Sequence, residues 1–199
     1  MQTTIYFIRH GKVHNPDNIL YGRLPNFGLS EKGKLQIEKT AEFLQDKHID
    51  KLYASPLHRT RQTAEIIKTT LALPTIQFSD QILEVKTSYQ GIKFSDLDDL
   101  QSEIYLKPLD ATDETIEQIA QRMKNFLDHV IKIHTGKQIA AVSHGDPIMI
   151  LQALLQHKSL KFPIFKEVPY IKNGQVMQIT SDEQNNLSIT SVFKPFIET

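Results

Sequence analysis

The chain alternates short apolar runs with longer stretches in which apolar residues recur at helical spacing. The short runs predict strands at 3–8, 51–54, 75–78, 138–142, 175–180 and 187–193. The longer stretches predict helices over 31–47, 56–71, 114–134 and 147–156. Strands that alternate with helices indicate an α/β fold, a three-layer αβα sandwich whose central sheet is mostly parallel and covered on both faces.

Local signals refine the ends of these elements. Ser30 is a suitable N-cap for the first helix, and Asp113 is predicted to cap the longest one. Two irregular stretches interrupt the alternation, at 11–29 and at 79–110, and the second contains one predicted short helix near 94–101. Long irregular segments in a compact domain usually carry function, so we expect these two to border a site.

Composition and charge limit the classes of function. A length of 199 residues favours a single domain over 1–199 with a sizeable core. Lys and Arg number 23, as do Asp and Glu, and a formal net charge of zero gives no electrostatic signature of a nucleic-acid or membrane partner. The absence of cysteine excludes disulfides and thiolate chemistry. With no secretory signal pattern and no apolar run of ~18 residues, we expect a cytoplasmic protein.

Histidine and arginine residues follow the predicted strands. Arg9-His10-Gly11 ends the first strand, and Ser143-His144-Gly145 follows the strand at 138–142. Arg59 lies one turn into the helix after 51–54, where a helix N-terminus and a guanidinium both suit phosphate oxygens. Ligands of parallel sheets bind outside the carboxyl ends of the strands. We therefore expect a phosphoryl-transfer site without a metal, with one neutral histidine as nucleophile and the other protonated to stabilise charge.

The sequence resembles the histidine phosphatase superfamily, also called phosphoglycerate mutase-like. Five segments carry the resemblance, in the family's order and over essentially the whole chain: FIRHG (7–11), YGRLPNFGLSEKGKLQ (21–36), YASPLHRTRQTAE (53–65), Leu83-Glu84 and AVSHG (141–145). The Ser-Pro-Leu-x-Arg-Thr-x-Gln-Thr-Ala pattern is the most specific of them. The resemblance implies the same three-layer fold and phosphoryl transfer through a phosphohistidine.

The resemblance also implies roles for particular residues. His10 would be the phosphorylated nucleophile, and Glu84 would donate a proton to the leaving oxygen and later activate water, with Asp80 as the competing carboxylate. The remaining residues of the phosphate and substrate pocket would be Arg9, Gly11, Asn15, Gly22, Arg23, Arg59, His144 and Gly145. The family often has Glu-Thr where this chain has Lys12-Val13, and the segment after Glu84 is one residue shorter than usual.

Three functions agree with these residues. A metal-independent phosphatase that hydrolyses a small phosphomonoester is favoured over a phosphoglycerate mutase, because the chain is short and lacks Trp, and a mutase must exclude water. A non-catalytic domain that binds phosphorylated ligands is the third. The expected partner is a small phosphorylated metabolite, and Lys12, His14 and Arg23 would permit an acidic one. No cofactor or metal is expected, and the oligomeric state stays open, a homodimer included.

Overall fold

The computed structural model describes residues 1–97, 104–161, 168–184 and 186–195. Its strands are β1 (Thr3–Arg9), β2 (Lys51–Ala54), β3 (Gln77–Phe78), β4 (Gln138–Ser143), β5 (Val176–Ser181) and β6 (Leu187–Phe193). Its helices are α1 (Glu31–Gln45), α2 (His58–Thr70), α3 (Ile116–Ile133) and α4 (Gly145–Leu155), with 3₁₀ turns at Asp80–Ile82 and Phe94–Leu97. Each of the six predicted strands and the four longer predicted helices is present within a few residues of its predicted bounds.

The six strands form one sheet in the order β3-β2-β4-β1-β5-β6. The first four are mutually parallel, and β5 and β6 join antiparallel at one edge. In the β1–β4 pair, Arg9 lies opposite Ser143, and His10 N–H donates to the Ser143 carbonyl at 3.1 Å. The residues that follow these two strands, His10 and His144, therefore leave the sheet at the same level.

Helices cover both faces of the sheet, as the strand–helix alternation predicts. Ile5 and Phe7 of β1 face the core beneath α3 and α4, whereas Tyr6 and Ile8 face the core beneath α1 and α2. Because both faces are buried, β1 is apolar throughout rather than alternating with polar residues. The predicted α/β fold with three layers is confirmed.

Helix starts follow the local sequence with one exception. The Ser30 side chain accepts from Gly33 N–H at 3.1 Å and caps α1 as predicted. The prediction that Asp113 caps α3 was wrong, because Thr115 is the N-cap and forms a capping box with Gln118. Asp113 instead accepts from the backbone N–H of Ser88 and Leu109, so it braces the irregular segment.

The start of α4 and the extent of the short helix near residue 94 affect the predicted phosphate site and its surroundings. α4 begins at Gly145, so His144 is its N-cap residue. The predicted short helix near 94–101 is present as the turn Phe94–Leu97, and residues 98–101 lie outside the described residues. Among the described helices, none combines the length and the apolar character needed to cross a membrane.

Candidate active site

Four predicted catalytic side chains converge beyond the carboxyl ends of β1 and β4. The ring centroids of His10 and His144 lie 5.3 Å apart. Arg59 reaches them from the first turn of α2, and Glu84 from the segment after the Asp80–Ile82 turn. His10, Arg59 and His144 are fully buried, and the Glu84 side chain is 15% exposed. Parallel pairing of the sheet thus gathers residues that are far apart in sequence.

The hydrogen bonds of His10 fix its tautomer. Nδ1 lies 2.8 Å from the Gly11 carbonyl oxygen, which can only accept, so Nδ1 carries the ring proton. Nε2 accepts from Arg59 Nε at 3.1 Å, because a guanidinium can only donate. Burial, followed by the charges of Arg59 and Arg9, holds the pKa of His10 well below its ordinary value. His10 is therefore a neutral imidazole whose Nε2 lone pair is held by Arg59.

His144 is also held in its neutral form. Burial, and after it the charge of Arg59, lower the pKa of His144 well below the ordinary value. Without a bound anion the neutral form of His144 is therefore favoured, and a protonated second histidine beside a bound phosphoryl group stays a prediction. A dianion added between these groups would raise the pKa of His144 again. Its Nε2 lies 2.8 Å from Ser55 Oγ.

Two buried polar atoms of the site have no hydrogen-bond partner among the described residues, namely Arg9 Nε and His144 Nδ1. The other end of the Arg9 guanidinium is held, since Nη1 donates to the Ile171 carbonyl at 2.7 Å and Cζ lies 4.9 Å from the Tyr170 ring centroid. Buried polar groups in folded proteins are almost always paired. The unpaired atoms therefore indicate a position for an acceptor such as a phosphoryl oxygen.

Arg59 links the nucleophile position to Glu84. Its Nη2 donates to the Gly22 carbonyl at 2.8 Å and lies 3.7 Å from Glu84 Oε2. Its Cζ lies 4.8 Å from the ring centroid of Tyr21, which supports the guanidinium from one side. A buried guanidinium held in this way presents a fixed fork to an anion rather than a mobile charge.

The geometry favours Glu84 over Asp80 as the site carboxylate. Glu84 Oε2 lies 3.6 Å from His144 Nδ1, whereas Asp80 is exposed at the start of its 3₁₀ turn. Burial, and after it the negative charge of Asp146, raises the pKa of Glu84, and Arg59 opposes this. A carboxyl whose pKa is raised in a buried site is suited to donate a proton.

Comparison with known proteins agrees with this geometry. The sequence profile described as Histidine phosphatase superfamily (branch 1) matches residues 5–190. The chain belongs to this superfamily. It is 32% identical over 165 residues to the uncharacterised protein Rv0525 of Mycobacterium tuberculosis, across 80% of this chain and 81% of the relative. It is 28% identical over 160 residues to phosphoserine phosphatase 1 of Hydrogenobacter thermophilus, across 76% of this chain and 75% of the relative.

The solved structures show the same fold. Bacillus stearothermophilus YhfR superposes with a TM-score of 0.83 at 21% identity, covering 94% of this chain and 95% of that one. The resemblance to the histidine phosphatase superfamily predicted from the motifs is thus confirmed. Membership indicates an enzyme of phosphatase or mutase type.

Two residues predicted to contact substrate have other partners in this histidine phosphatase superfamily member. Arg23 Nε donates to the Glu84 carbonyl at 2.8 Å, and its Nη2 pairs with Glu114 at 2.8 Å. Arg122 bonds the same Glu84 carbonyl and the same Glu114 carboxylate. Asn15 uses both amide atoms on the backbone of Ile19, which braces its own loop. Arg23 therefore holds the backbone of Glu84 in position through the Glu84 carbonyl.

The predicted glycine contacts are explained by close packing. A Cβ on Gly11 would overlap the Gly33 carbonyl of α1 and lie 2.9 Å from Ile37 Cγ1, so Gly11 lets the end of β1 pack against α1. A Cβ on Gly145 would overlap the Tyr170 hydroxyl and lie 3.1 Å from Arg9 Cζ. The Gly22 carbonyl is the acceptor for Arg59 described above. These glycines shape the site through backbone position.

A cavity of about 500 Å³ extends outward from Arg9 and Glu84. Sequence reasoning missed Asp146, Tyr105 and Tyr170 beside it. Both oxygens of Asp146 accept hydrogen bonds, from Tyr105 Oη at 2.6 Å and Tyr170 Oη at 2.8 Å. Asp146 directly follows the AVSHG motif and could have been noticed for that reason, but nothing in the sequence connects the two distant tyrosines to it.

His10, Glu84 and His144 each offer one donor atom, and these atoms lie within 4.8 Å of one another. Such a set could hold a cation. The charges beside it argue for an anion, because Arg59 Nε already donates to His10 Nε2 and Arg59 Nη2 lies 3.7 Å from Glu84 Oε2. With Arg9 buried nearby, the two guanidinium charges exceed the single carboxylate of the set and favour a phosphoryl group.

Proposed function

We propose that the chain is a metal-independent phosphatase that hydrolyses a small phosphomonoester through a phosphohistidine intermediate on His10. The observation that carries this proposal is the tautomer of His10, with Nδ1–H held by the Gly11 carbonyl and Nε2 unprotonated beside Arg59. A neutral imidazole in a fixed orientation is a competent nucleophile. The unpaired buried atoms of Arg9 and His144 supply partners for the phosphoryl oxygens.

In the first half-reaction, His10 Nε2 gives up the hydrogen bond from Arg59 Nε and attacks phosphorus in line with the leaving oxygen. An N–P bond forms while the ester P–O bond breaks, and the electron pair of that bond stays on the leaving oxygen. Glu84 donates its proton to this oxygen, so a neutral alcohol departs. The raised pKa of Glu84 supports this role, because its protonated form persists to a higher pH than that of an ordinary glutamate.

In the second half-reaction, a water molecule attacks the phosphorus of phospho-His10. The Glu84 carboxylate accepts a proton from this water, a new O–P bond forms, and the N–P bond breaks with its electron pair returning to Nε2. Phosphate leaves, His10 is neutral again and Glu84 is reprotonated. Arg9 and Arg59 compensate the charge on the equatorial oxygens in both halves, which is where catalysis of phosphoryl transfer is mostly achieved.

Water access favours hydrolysis over transfer to a second alcohol. A mutase must keep water away from its phosphoenzyme. The Glu84 side chain is 15% exposed and lines the cavity, so a water molecule that enters after the alcohol has left would meet the carboxylate that activates it. We therefore favour the phosphatase over the mutase.

The test is release of phosphate from p-nitrophenyl phosphate in the presence of EDTA. Wild type should turn over, and His10→Ala should lose about a thousandfold or more of kcat/KM. The matched control is His129→Ala, since His129 is exposed on α3 and should leave activity unchanged. An acid-labile, alkali-stable phosphoenzyme should accumulate in the wild type and not in His10→Ala.

Three outcomes decide among the functions. Absence of turnover by wild type across a panel of phosphate esters would overturn the enzymatic proposal and leave a phospho-ligand binding domain. Transfer between the two phosphoglycerates without release of phosphate would select the mutase. Activity lost on EDTA treatment and regained with a divalent cation would contradict a metal-independent reaction.

A further inference from the structure

The cavity also has an apolar wall formed by Leu20, Val85, Phe94, Leu97 and Ile104. Val85, Leu97 and Ile104 are at most 8% exposed and therefore belong to the packed interior. A cavity of about 500 Å³ lined in this way has the size and character of a site for a small organic group. We call these five residues the apolar wall.

Hydrogen bonds between two loops hold the apolar wall in place. Leu20 N–H donates to the Ile92 carbonyl at 2.8 Å, and Gly91 N–H donates to the Leu20 carbonyl at 2.8 Å. Phe94 N–H donates to the Asn18 carbonyl at 2.9 Å. Leu20 and Phe94 are therefore held in place before a ligand binds, and packing an apolar group against them costs little ordering.

Charge in the cavity is unevenly distributed. Among the described lining residues, the ionisable acids are Glu84 and Asp146, and the cation is Arg9. Arg9 is held at the phosphate by its bond to the Ile171 carbonyl. Burial and the charge of Asp146 raise the pKa values of Tyr105 and Tyr170 well above their ordinary range, so both hydroxyls stay protonated and donate to the Asp146 carboxylate.

The cations that the sequence suggested for an acidic substrate lie elsewhere. Arg23 is paired with Glu114, and Lys12 and His14 are exposed on the loop after β1. A carboxylate on the leaving group would thus meet the Asp146 carboxylate with no cation beyond Arg9 among the described lining residues. Like charges in a partly buried site repel appreciably.

We propose that the leaving group of the substrate is an uncharged alcohol with an apolar body, and that Asp146 disfavours leaving groups that carry a carboxylate. The proposal rests on the proposed function, because it takes the phosphate of the ester to lie between Arg9, Arg59 and the two histidines. It separates this chain from a relative named for phosphoserine, whose leaving group is an amino acid.

The test compares two aryl esters of similar size and shape, 4-carboxyphenyl phosphate, which carries a carboxylate, and 4-carbamoylphenyl phosphate, which is uncharged at that position. Wild type should prefer the uncharged ester by about tenfold in kcat/KM. Asp146→Asn should reduce that preference to about twofold while keeping a group that can bond both tyrosines. The matched control is Asp128→Asn, because Asp128 is exposed on α3 and paired with Lys124.

A binding measurement keeps the two proposals separable. Calorimetry with His10→Ala, which cannot form the phosphoenzyme, should show the same tenfold preference in Kd for the uncharged ester. This preference without any turnover by wild type would overturn the phosphatase and leave the pocket assignment intact. Equal affinities, tighter binding of the carboxylate ester, or no binding of either ester would overturn the pocket assignment. The pocket assignment is tested by the preference of the wild type, so it can be overturned even if Asp146→Asn does not fold.

Discussion

The two ends of the active-site cavity are built from different kinds of structure. The proposed phosphate end (Arg9, His10, Arg59 and His144) is supplied by two strand ends, the first turn of α2 and the start of α4. Three of these four side chains are fully buried. The leaving-group end is the apolar wall, which is supplied by loops and by the 3₁₀ turn Phe94–Leu97.

The regular elements therefore supply the residues for chemistry, and the loops supply those for selectivity. Side chains on regular elements are held within the narrow geometric limits that phosphoryl transfer demands. Loops supported by the same scaffold can change the shape of the cavity without disturbing that geometry. We therefore expect substitutions at the phosphate end to reduce activity toward all esters alike, and substitutions at the leaving-group end to change the ranking of esters.

The largest effect is expected from Arg59→Lys, with a loss of about a thousandfold in kcat/KM. A lysine cannot bond His10 Nε2 and the Gly22 carbonyl at once, and it offers a point charge in place of a fork. The loss should be equal for p-nitrophenyl phosphate and an alkyl phosphate. Arg61→Lys is the control, since Arg61 bonds the Pro56 carbonyl and lies over the Phe78 ring outside the site. Losses that differ tenfold between the esters would show that Arg59 also contributes to selectivity among leaving groups.

Glu84→Gln should lower kcat/KM about a hundredfold for phenyl phosphate and less for p-nitrophenyl phosphate, whose leaving group needs no proton.

The pH profile of activity should also change in Glu84→Gln. Protonated Glu84 is needed in the first step, so activity falls on the alkaline side, displaced upward by the raised pKa of Glu84. Neutral His10 is needed too, so activity falls on the acid side, displaced downward by the lowered pKa of His10. Glu84→Gln should lose the alkaline fall and keep the acid one.

The control for this prediction is Asp80→Asn, which changes an exposed carboxyl close by in sequence. Its rate and pH profile should match those of the wild type. If Asp80→Asn removed the alkaline fall and Glu84→Gln kept it, Asp80 would take the role of the acid. Such a result would also require the loop after β3 to rearrange, because Glu84 is the carboxylate beside His144.

The same contrast explains what could be predicted from the sequence. Arg9, His10 and His144 were predictable because parallel strands place their carboxyl ends together, and Arg59 because it begins a helix beside them. The partners of Asp146 were not predictable, because Tyr105 and Tyr170 come from segments with no periodicity.

Arg23 shows a second reason why some contacts could not be predicted from the sequence. The family resemblance implies a substrate contact for Arg23, which stays a prediction, but nothing in the sequence indicated its pairing with Glu114 and the Glu84 backbone. A loop residue has several cations and anions within reach, and local sequence does not decide among them. Alternating apolar runs, in contrast, have one low-energy solution, in which both faces of the sheet are covered.

Gly145→Ala should cost on the order of tenfold to a hundredfold in kcat/KM, because the new methyl group would displace Tyr170 and crowd Arg9. The effect should appear with every ester, since Arg9 belongs to the phosphate end. The measurement is a double-mutant cycle with Tyr170→Ala. In that background, which removes the overlapping ring, Gly145→Ala should cost much less. An unchanged cost would mean that the methyl group acts on the backbone of α4 and not through Tyr170.

The smallest effect is expected from Phe94→Ala, which removes part of the apolar wall. Loss of a partly buried aromatic contact should lower kcat/KM for phenyl phosphate about tenfold. Methyl phosphate is too small to reach the wall, so its kcat/KM should be unchanged. Phe78→Ala is the control, because Phe78 is 44% exposed and stacks with Arg61 away from the cavity. An equal loss for both esters would show that the wall also holds the phosphate end in place, and the division between the two ends would then be wrong.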